Sequence, residues 1–531
     1  MRLTTDEFGE IDIATVPVPD GVCVRSATYT VSGRVFVFYR TDDDPAVDDW
    51  FNAAVVDDDG ERFTTVFAGA IPQRPTANGI RHMPFADGSR MLLGDYVLEF
   101  TPSLDACENA ELVPVEYPWN LADDALTSHH WSEIIVSPDD HIAWTALRTD
   151  MTAIVAVGRL RRTSDRYVID EPAIISSTEP LTEDAGRPGY FTSSPMRGGE
   201  VKQFVHGGTA ISAVGDGGGP LTDSVVQDLA GGGITRITQA PGYDETTIFS
   251  PDERLGMVMT SRASQRTNPA ILGLLPRPHA NLVGMTLAWT VYTYTVAGVR
   301  AFREGNIGPV LIDIERSMAE PDYTGISLAD PDETWVYCSP MSWHPTSTRS
   351  MWMEMLRGSG VGGAEPSMRI RIAKLLDRAA SAPAPARPTP ASMAYAITGE
   401  DARKLLTRTA SPVATGRIAG AHSGYLEFER GAAGPANAVS AVSRYVGYSD
   451  DGLRFYDGVE RAVSSMTDGT VYEADLELTG SERGEMRVRA CWSGIREGAR
   501  LRFDADADGM PRSRGHVRYG ETLLRVSDLA E

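Results

Sequence analysis

Apolar residues in this chain come in short bursts, alternating with polar ones or running continuously, and clusters of Gly, Pro, Asp and Ser break them up. That period belongs to strands joined by tight turns, not to amphipathic helices. In "DLAGGGITRITQAPGYDETTIFSPDERLGMVMTSRA", Asp228 to Ala263, a strand, a Gly-rich turn and a second strand come first. "APGYDE" then turns the chain, with Pro241 supplying a fixed φ and Gly242 a permissive one. "TTIFSPDERLGMVMTS" reads as two strands joined at Pro251-Asp252-Glu253, where proline sets φ and aspartate caps the turn. One cycle is about four strands, the size of a propeller blade.

The unit recurs. "SEIIVSPDDHIAWTAL", Ser132 to Leu147, has the same apolar run, Ser-Pro-Asp turn and returning strand. "RHMPFADGSRMLLG" from Arg81 keeps an Asp-Gly turn, and "MSWHPTSTRSMWMEML" from Met341 keeps the aromatic and the proline. "YFTSSPMRGGEVKQFV" from Tyr190 keeps Ser-Pro, and "SGRVFVFYR" with "NAAVVDDDGERFTTVFAG" supplies a degenerate copy near the amino terminus. The Asp228 unit and "IIVSPDDHIAWT" resemble the TolB-like, or WD40-like Pro-Asp, repeat of β-propellers. The copies span Val22 to Asp377, and the resemblance implies six blades. An irregular β-sandwich with chance Ser-Pro-Asp turns is the rival. The expected fold is therefore all-β: a six-bladed propeller over 1–378, interrupted near 264–285 by a loop insertion, "QRTNPAILGLLPRPHANLVG".

"RAASAPAPARPTPAS", Arg378 to Ser392, supports neither helix nor ladder and reads as a semi-rigid linker over 379–392. Beyond it, "GYLEFER", "VYEADLELTG", "EMRVRACW" and "HVRYGETLLRV" are alternating strands with no Pro-Asp repeat. Residues 393–531 are thus expected to form a separate, smaller antiparallel sandwich or barrel. There "DADADG", Asp504 to Gly509, matches half of a calcium loop, but its twelfth position is Gly515, so a solvated hairpin turn is the better account. Arginines crowd the same stretch, among them Arg487, Arg489, Arg502, Arg512, Arg514 and Arg518. Docking on the acidic propeller or a sister subunit accounts for them more simply than an anionic ligand.

Charge and cysteines narrow the partners. Of 531 residues, 73 are acidic and 49 basic, a net charge of -24 that argues against nucleic acid or an anionic membrane. Cys23, Cys107, Cys338 and Cys491 form no CxxC pair, and the amino terminus carries early acids without an apolar core. A reduced, cytoplasmic protein is expected. "NLVGMTLAWTVYTYTVAGV", Asn281 to Val299, is uncharged, and its alternating β-prone residues predict a buried strand in preference to a membrane helix.

In a propeller the innermost strands line a channel, and residues opening them converge at its mouth. Those positions hold Arg81 and His82, then His129, His130, Trp131 and Glu133, then Asp244 and Glu245, and lastly Trp343 and His344. His82, His130 and His344 with one carboxylate would suit a divalent metal. The same set suits metal-free acid–base work, with His130, His82, Glu133 and Glu245 catalytic and Arg81, Trp131, Asp244 and Trp343 binding substrate. Some propellers of this kind are similar to oligogalacturonate lyases, whose full metal motif is not evident here. No P-loop, dinucleotide fingerprint, GxSxG elbow or HExxH is present. The expectation is a lyase or hydrolase acting on a small polar or sugar-like molecule in the funnel. A non-catalytic binding or scaffold propeller is the alternative. A polar funnel favours the first and an apolar plug the second.

Overall fold

A computed structural model describes residues 1–72, 82–119, 126–128, 133–148, 153–177, 181–193, 199–216, 221–262, 264, 268–278, 280–360, 365–407, 414–432 and 439–530. The protein is mostly β. Six antiparallel groups of strands follow one another along the chain. The first strands of their central hairpins are Cys23–Tyr29, His82–Pro84, Ile135–Val136, Glu200–Val205, Asp244–Phe249 and Trp335–Trp343. A parallel pairing of Val115 and Glu116 with Tyr167 and Val168 joins the second and third groups into one continuous sheet, where Leu126–Ser128 also pairs with His141–Arg148. Each first strand contacts the next, and the sixth contacts the first, so the six close a ring. The sixth sheet takes its outer strand from the amino terminus, Gly9–Thr15 pairing with Met368–Leu375 (Ile11 opposite Leu375). Joining the two ends of the ring in one ladder leaves no seam that a single strand could peel from.

The turn after each first strand shows why Ser-Pro-Asp recurs. Ser137 and Ser250 each donate a 2.6 Å hydrogen bond from Oγ to the aspartate two residues on, Asp139 and Asp252. Each serine also accepts the backbone N–H of the returning strand, His141 at 2.9 Å and Leu255 at 3.0 Å. The turn then needs a left-handed residue, supplied by Asp140 (φ 66°) and Glu253 (φ 59°). Pro138 and Pro251 thus occupy equivalent turns. The fourth sheet differs from the sequence expectation. Its first strand ends in His206–Gly208, and Ser194-Pro195 falls before the strand, outside the described residues.

The Ala-Pro segment does not hang free. It crosses the turns of four sheets: Ser381 N–H reaches Thr346 O at 3.1 Å, Ala384 N–H reaches Pro251 O at 2.7 Å, and Arg387 N–H reaches Gly207 O at 2.9 Å. Asp252 accepts from Arg378 and Ser381, both at 2.6 Å, and Asp139 accepts from Thr389 N–H and Oγ1 at 2.9 and 2.7 Å. Proline lacks a donor, so the residues between prolines make the bonds, and the segment becomes a strap lashed to the repeat aspartates.

Beyond the strap lies a ten-stranded sheet. Its first two strands, Leu181–Glu183 and Tyr190–Ser193, come from between the third and fourth sheets of the ring. Along Gly469–Gly480 alternate side chains, Thr470, Tyr472, Ala474, Leu476 and Leu478, are buried. They lie in one apolar cluster with Met257, Leu287, Tyr337 and Trp352, so this sheet, the insertion and the fifth and sixth sheets share a core.

The segment Asn281–Val299 corrects the sequence reading: it is a helix (Val283–Tyr292), a π turn (Thr293–Ala297) and a final helical turn (Gly298–Ala301). The helix packs on the ten-stranded sheet, where no free ladder edge awaits it. A helix bonds its own backbone, so packing one face on a sheet, with Val283, Leu287 and Val291 buried, overrides β-propensity. Its threonines are satisfied locally, Thr290 by Thr470 at 2.6 Å and Thr295 by Val291 O. Among the described residues, no helix is long and apolar enough to cross a membrane. The arginine-rich strands find counter-charges within their own sheet. Arg487 meets Asp475 at 2.8 Å, Arg489 meets Glu473, and Arg512 and Arg514 meet Asp504 and Asp506 at 2.8 and 2.9 Å. "DADADG" is accordingly a hairpin turn, with Asp506 accepting the N–H groups of Asp508 and Met510 at 3.0 Å.

Candidate functional site

A bulge in the strand Glu200–Val205 sets the site: the ladder shifts register between Val201 and Gln203, and Lys202, at the bulge, meets Glu200 of its own strand. Lys202 is one of only three lysines in the chain, and its side chain is 3% exposed. Its Nζ lies 2.9 Å from Glu133, 2.8 Å from Glu200 and 3.6 Å from Glu245, carboxylates from three neighbouring sheets. Tyr243 donates a 2.5 Å hydrogen bond to Glu245 Oε2.

The charges are set by this crowding. Burial alone would lower the Lys202 pKa, but the three glutamates outweigh it, and the ammonium is held charged well above its ordinary range. Burial raises Glu245, with Glu200 and Glu133 adding to the rise, against the pull of Lys202 and the Tyr243 bond. The Tyr243 hydroxyl is likewise raised, by burial and then by Glu245. The insertion supplies the roof. Tyr292 and Arg300 are both within electrostatic range of Glu245, and Arg300 Nε donates to Tyr337 O on the sixth inner strand at 3.1 Å. The arrangement combines a carboxyl raised by burial, two carboxylates paired closely with Lys202 and two fixed cations, which is equipment for moving protons and holding charge.

Of the residues expected at the mouth, Glu133 and Glu245 are brought together, with Lys202 between them. His82 opens its strand as expected, but its ring packs on Phe36 and Phe38, with centroids 6.3 and 5.3 Å away. Asp244, where the ladder shifts register between Asp244 and Thr247, is fully buried and 3.1 Å from Arg262. Trp343 is buried and donates from Nε1 to Ile248 O at 2.9 Å, tying the fifth and sixth inner strands together. His344 differs from expectation, since it follows its strand instead of opening it. It takes the place of the repeat serine, its Nδ1 2.7 Å from Thr346 Oγ1, at the strapped end of the ring. Arg81, His129, His130 and Trp131 lie outside the described residues. Among the described residues, no group of three or more His, Cys, Asp or Glu could hold a metal.

Sequence reasoning missed Lys202, Tyr243, Tyr292 and Arg300. A signal existed for Lys202: a rare lysine inside the apolar strand "EVKQFV", two residues from a glutamate. Tyr292 and Arg300 had none, because their place depends on how the insertion folds back.

No protein-family model matches the chain, and no curated protein matches it by sequence. Solved structures similar to it include TolB from Acinetobacter baumannii, at 14% identity over 65% of this chain and 64% of that one, with a TM-score of 0.30. A puromycin-hydrolyzing peptidase of Mycobacterium tuberculosis matches at 10% identity over 77% of this chain and 58% of that one, TM-score 0.34. The α-L-arabinofuranosidase Arb93A of Fusarium graminearum matches at 11% identity over 69% of this chain and 98% of that one, TM-score 0.30.

Proposed function

We propose that the six sheets are the blades of one propeller, and that the protein is a hydrolase working on a small polar molecule at the channel mouth. One observation carries the reading: Lys202 gathers Glu133, Glu200 and Glu245 from three sheets around a single buried ammonium. Purely structural packing favours apolar side chains there, because burying charge is costly. Glu245, whose carboxyl is raised by burial and which Tyr243 holds in place, supplies the proton to a leaving group. Glu133 or Glu200, ion-paired with Lys202, accepts a proton from water. The ten-stranded sheet and its helix form a second unit that covers the mouth, while the strap covers the opposite end.

The binding-only alternative has one observation in its favour, since the Lys202 charge is already matched by its neighbours. A panel of nitrophenyl glycosides, esters and anilides separates the two. Turnover of at least one class is expected, falling about 10²-fold or more in Glu245→Gln. No turnover of any class, with no shift in melting temperature by any compound, overturns the catalytic reading.

A further inference from the structure

Arg300 stands apart from the other arginines inside this protein. Arg277 is spent on Glu460 and Tyr472, Arg262 on Asp244, and Arg357 on the carbonyls of Val299, Arg303, Gly305 and Glu333. Arg300 uses Nε alone, on Tyr337 O at 3.1 Å. Among the described residues its two terminal nitrogens meet neither a hydrogen-bond partner nor a carboxylate within ion-pair reach. Nor do they belong to the fully enclosed polar atoms, so solvent reaches them.

Everything up to that fork is fixed. Val299 is buried and its carbonyl accepts from Arg357 at 2.5 Å, and the Arg300 carbonyl accepts Gly358 N–H at 3.0 Å. Glu245 lies within electrostatic range of the guanidinium, which stays protonated despite its burial. Lys202 is committed to Glu133 and Glu200 at 2.9 and 2.8 Å, and neither carboxylate is shared with Arg300. A preorganised guanidinium with two open donors binds an oxyanion in a forked pair of hydrogen bonds.

We infer that Arg300 is the specificity-determining anchor of the mouth, and that the molecule taken up carries a carboxylate or another oxyanion gripped by its terminal nitrogens. This rests on the hydrolase reading for what happens next, but not for the binding itself. The anchor holds the anionic end while the bond to be cleaved lies toward Glu245.

Saturation-transfer NMR on the full chain with succinate and its diamide, succinamide, tests the anchor, and phosphorus line widths with inorganic phosphate test the type of oxyanion. Succinate is expected to bind and succinamide not. Arg300→Gln should weaken succinate by about tenfold or more, as loss of hydrogen bonds to a charged group does, and Lys404→Gln, which removes one positive charge at the surface, should change it less than about twofold. Arg300-dependent binding of phosphate in place of succinate supports the anchor and makes the partner a phosphate ester. Where phosphate shows no Arg300-dependent binding either, equal succinate binding by wild type and Arg300→Gln, or no preference for succinate over succinamide, overturns it. If Arg300→Gln fails to fold, Arg300→Lys keeps the charge without the fork, and undiminished succinate binding there overturns the forked grip. Arg300-dependent succinate binding without turnover of any chromogenic substrate keeps the anchor and removes the catalytic reading; turnover without Arg300-dependent binding does the reverse.

Discussion

Replacing Lys202 by Met removes the one ammonium that Glu133, Glu200 and Glu245 share while nearly keeping its length. At 2.8–2.9 Å and an effective dielectric of about 20, each of the two closer pairs is worth about 6 kcal/mol in Coulomb energy. Desolvation of a side chain only 3% exposed offsets much of that. The expected net loss is about 3–5 kcal/mol, the cost of leaving buried partners without their counter-charge. Urea unfolding followed by tryptophan fluorescence measures it at pH 8 and pH 5. Without the lysine the crowded carboxyls bind protons more tightly in the folded state than in the unfolded one. Folded pKa values raised in this way give stability that is present in acid and lost as pH rises through them. The deficit of Lys202→Met should therefore shrink by about 1 kcal/mol or more at pH 5, and Glu245→Gln added to it should recover part of the loss. A deficit below about 1 kcal/mol at pH 8, or one unchanged at pH 5, would refute the account.

Asp223 is buried beside Arg236 at 2.6 Å, and burial pushes its carboxyl up to about 7. The folded state thus holds an extra proton between the ordinary carboxylate range and about 7, so stability should fall as pH rises through that window, by at most about 4 kcal/mol. Asp223→Asn should flatten the urea midpoint between pH 5 and pH 8, and an unchanged profile rejects the assignment. Asp139→Ala with Asp252→Ala removes the strap's side-chain anchors, at about 1.5–3 kcal/mol per charged hydrogen bond lost. Trypsin should then cut after Arg378 at concentrations that leave the wild type intact; equal resistance shows that the backbone bonds alone hold the strap. Trp343→Phe deletes the bond to Ile248 O and should cost about 1 kcal/mol without the catalytic loss expected of Glu245→Gln; a comparable loss of turnover would place Trp343 among the functional groups.

What the sequence determined by itself is local. Ser-Pro-Asp-X encodes a turn within four residues, the serine and aspartate bonding each other and the fourth residue taking a positive φ, so the strands around Pro138 and Pro251 were legible wherever the motif survived. Where it decayed, as at His206–Gly208, the register was lost, and His344 was read as opening a strand when it serves as the turn's serine. Glu133 and Glu245 were legible because residues opening inner strands of a ring converge. Asp244 was misplaced because the ladder shifts register between Asp244 and Thr247 and its carboxylate is buried against Arg262, which a strand pattern does not reveal. Only the tertiary structure decided the rest. The helix at Val283–Tyr292 exists because the ten-stranded sheet offers it a face and no ladder, which no propensity of Thr, Tyr and Val reveals. Lys202 gains its meaning from three carboxylates 43 to 69 residues away or two residues along its own strand, and Arg300 from a fold-back of the insertion. Short-range stereochemistry is written in consecutive residues. A buried charge has significance only once distant segments have excluded water around it.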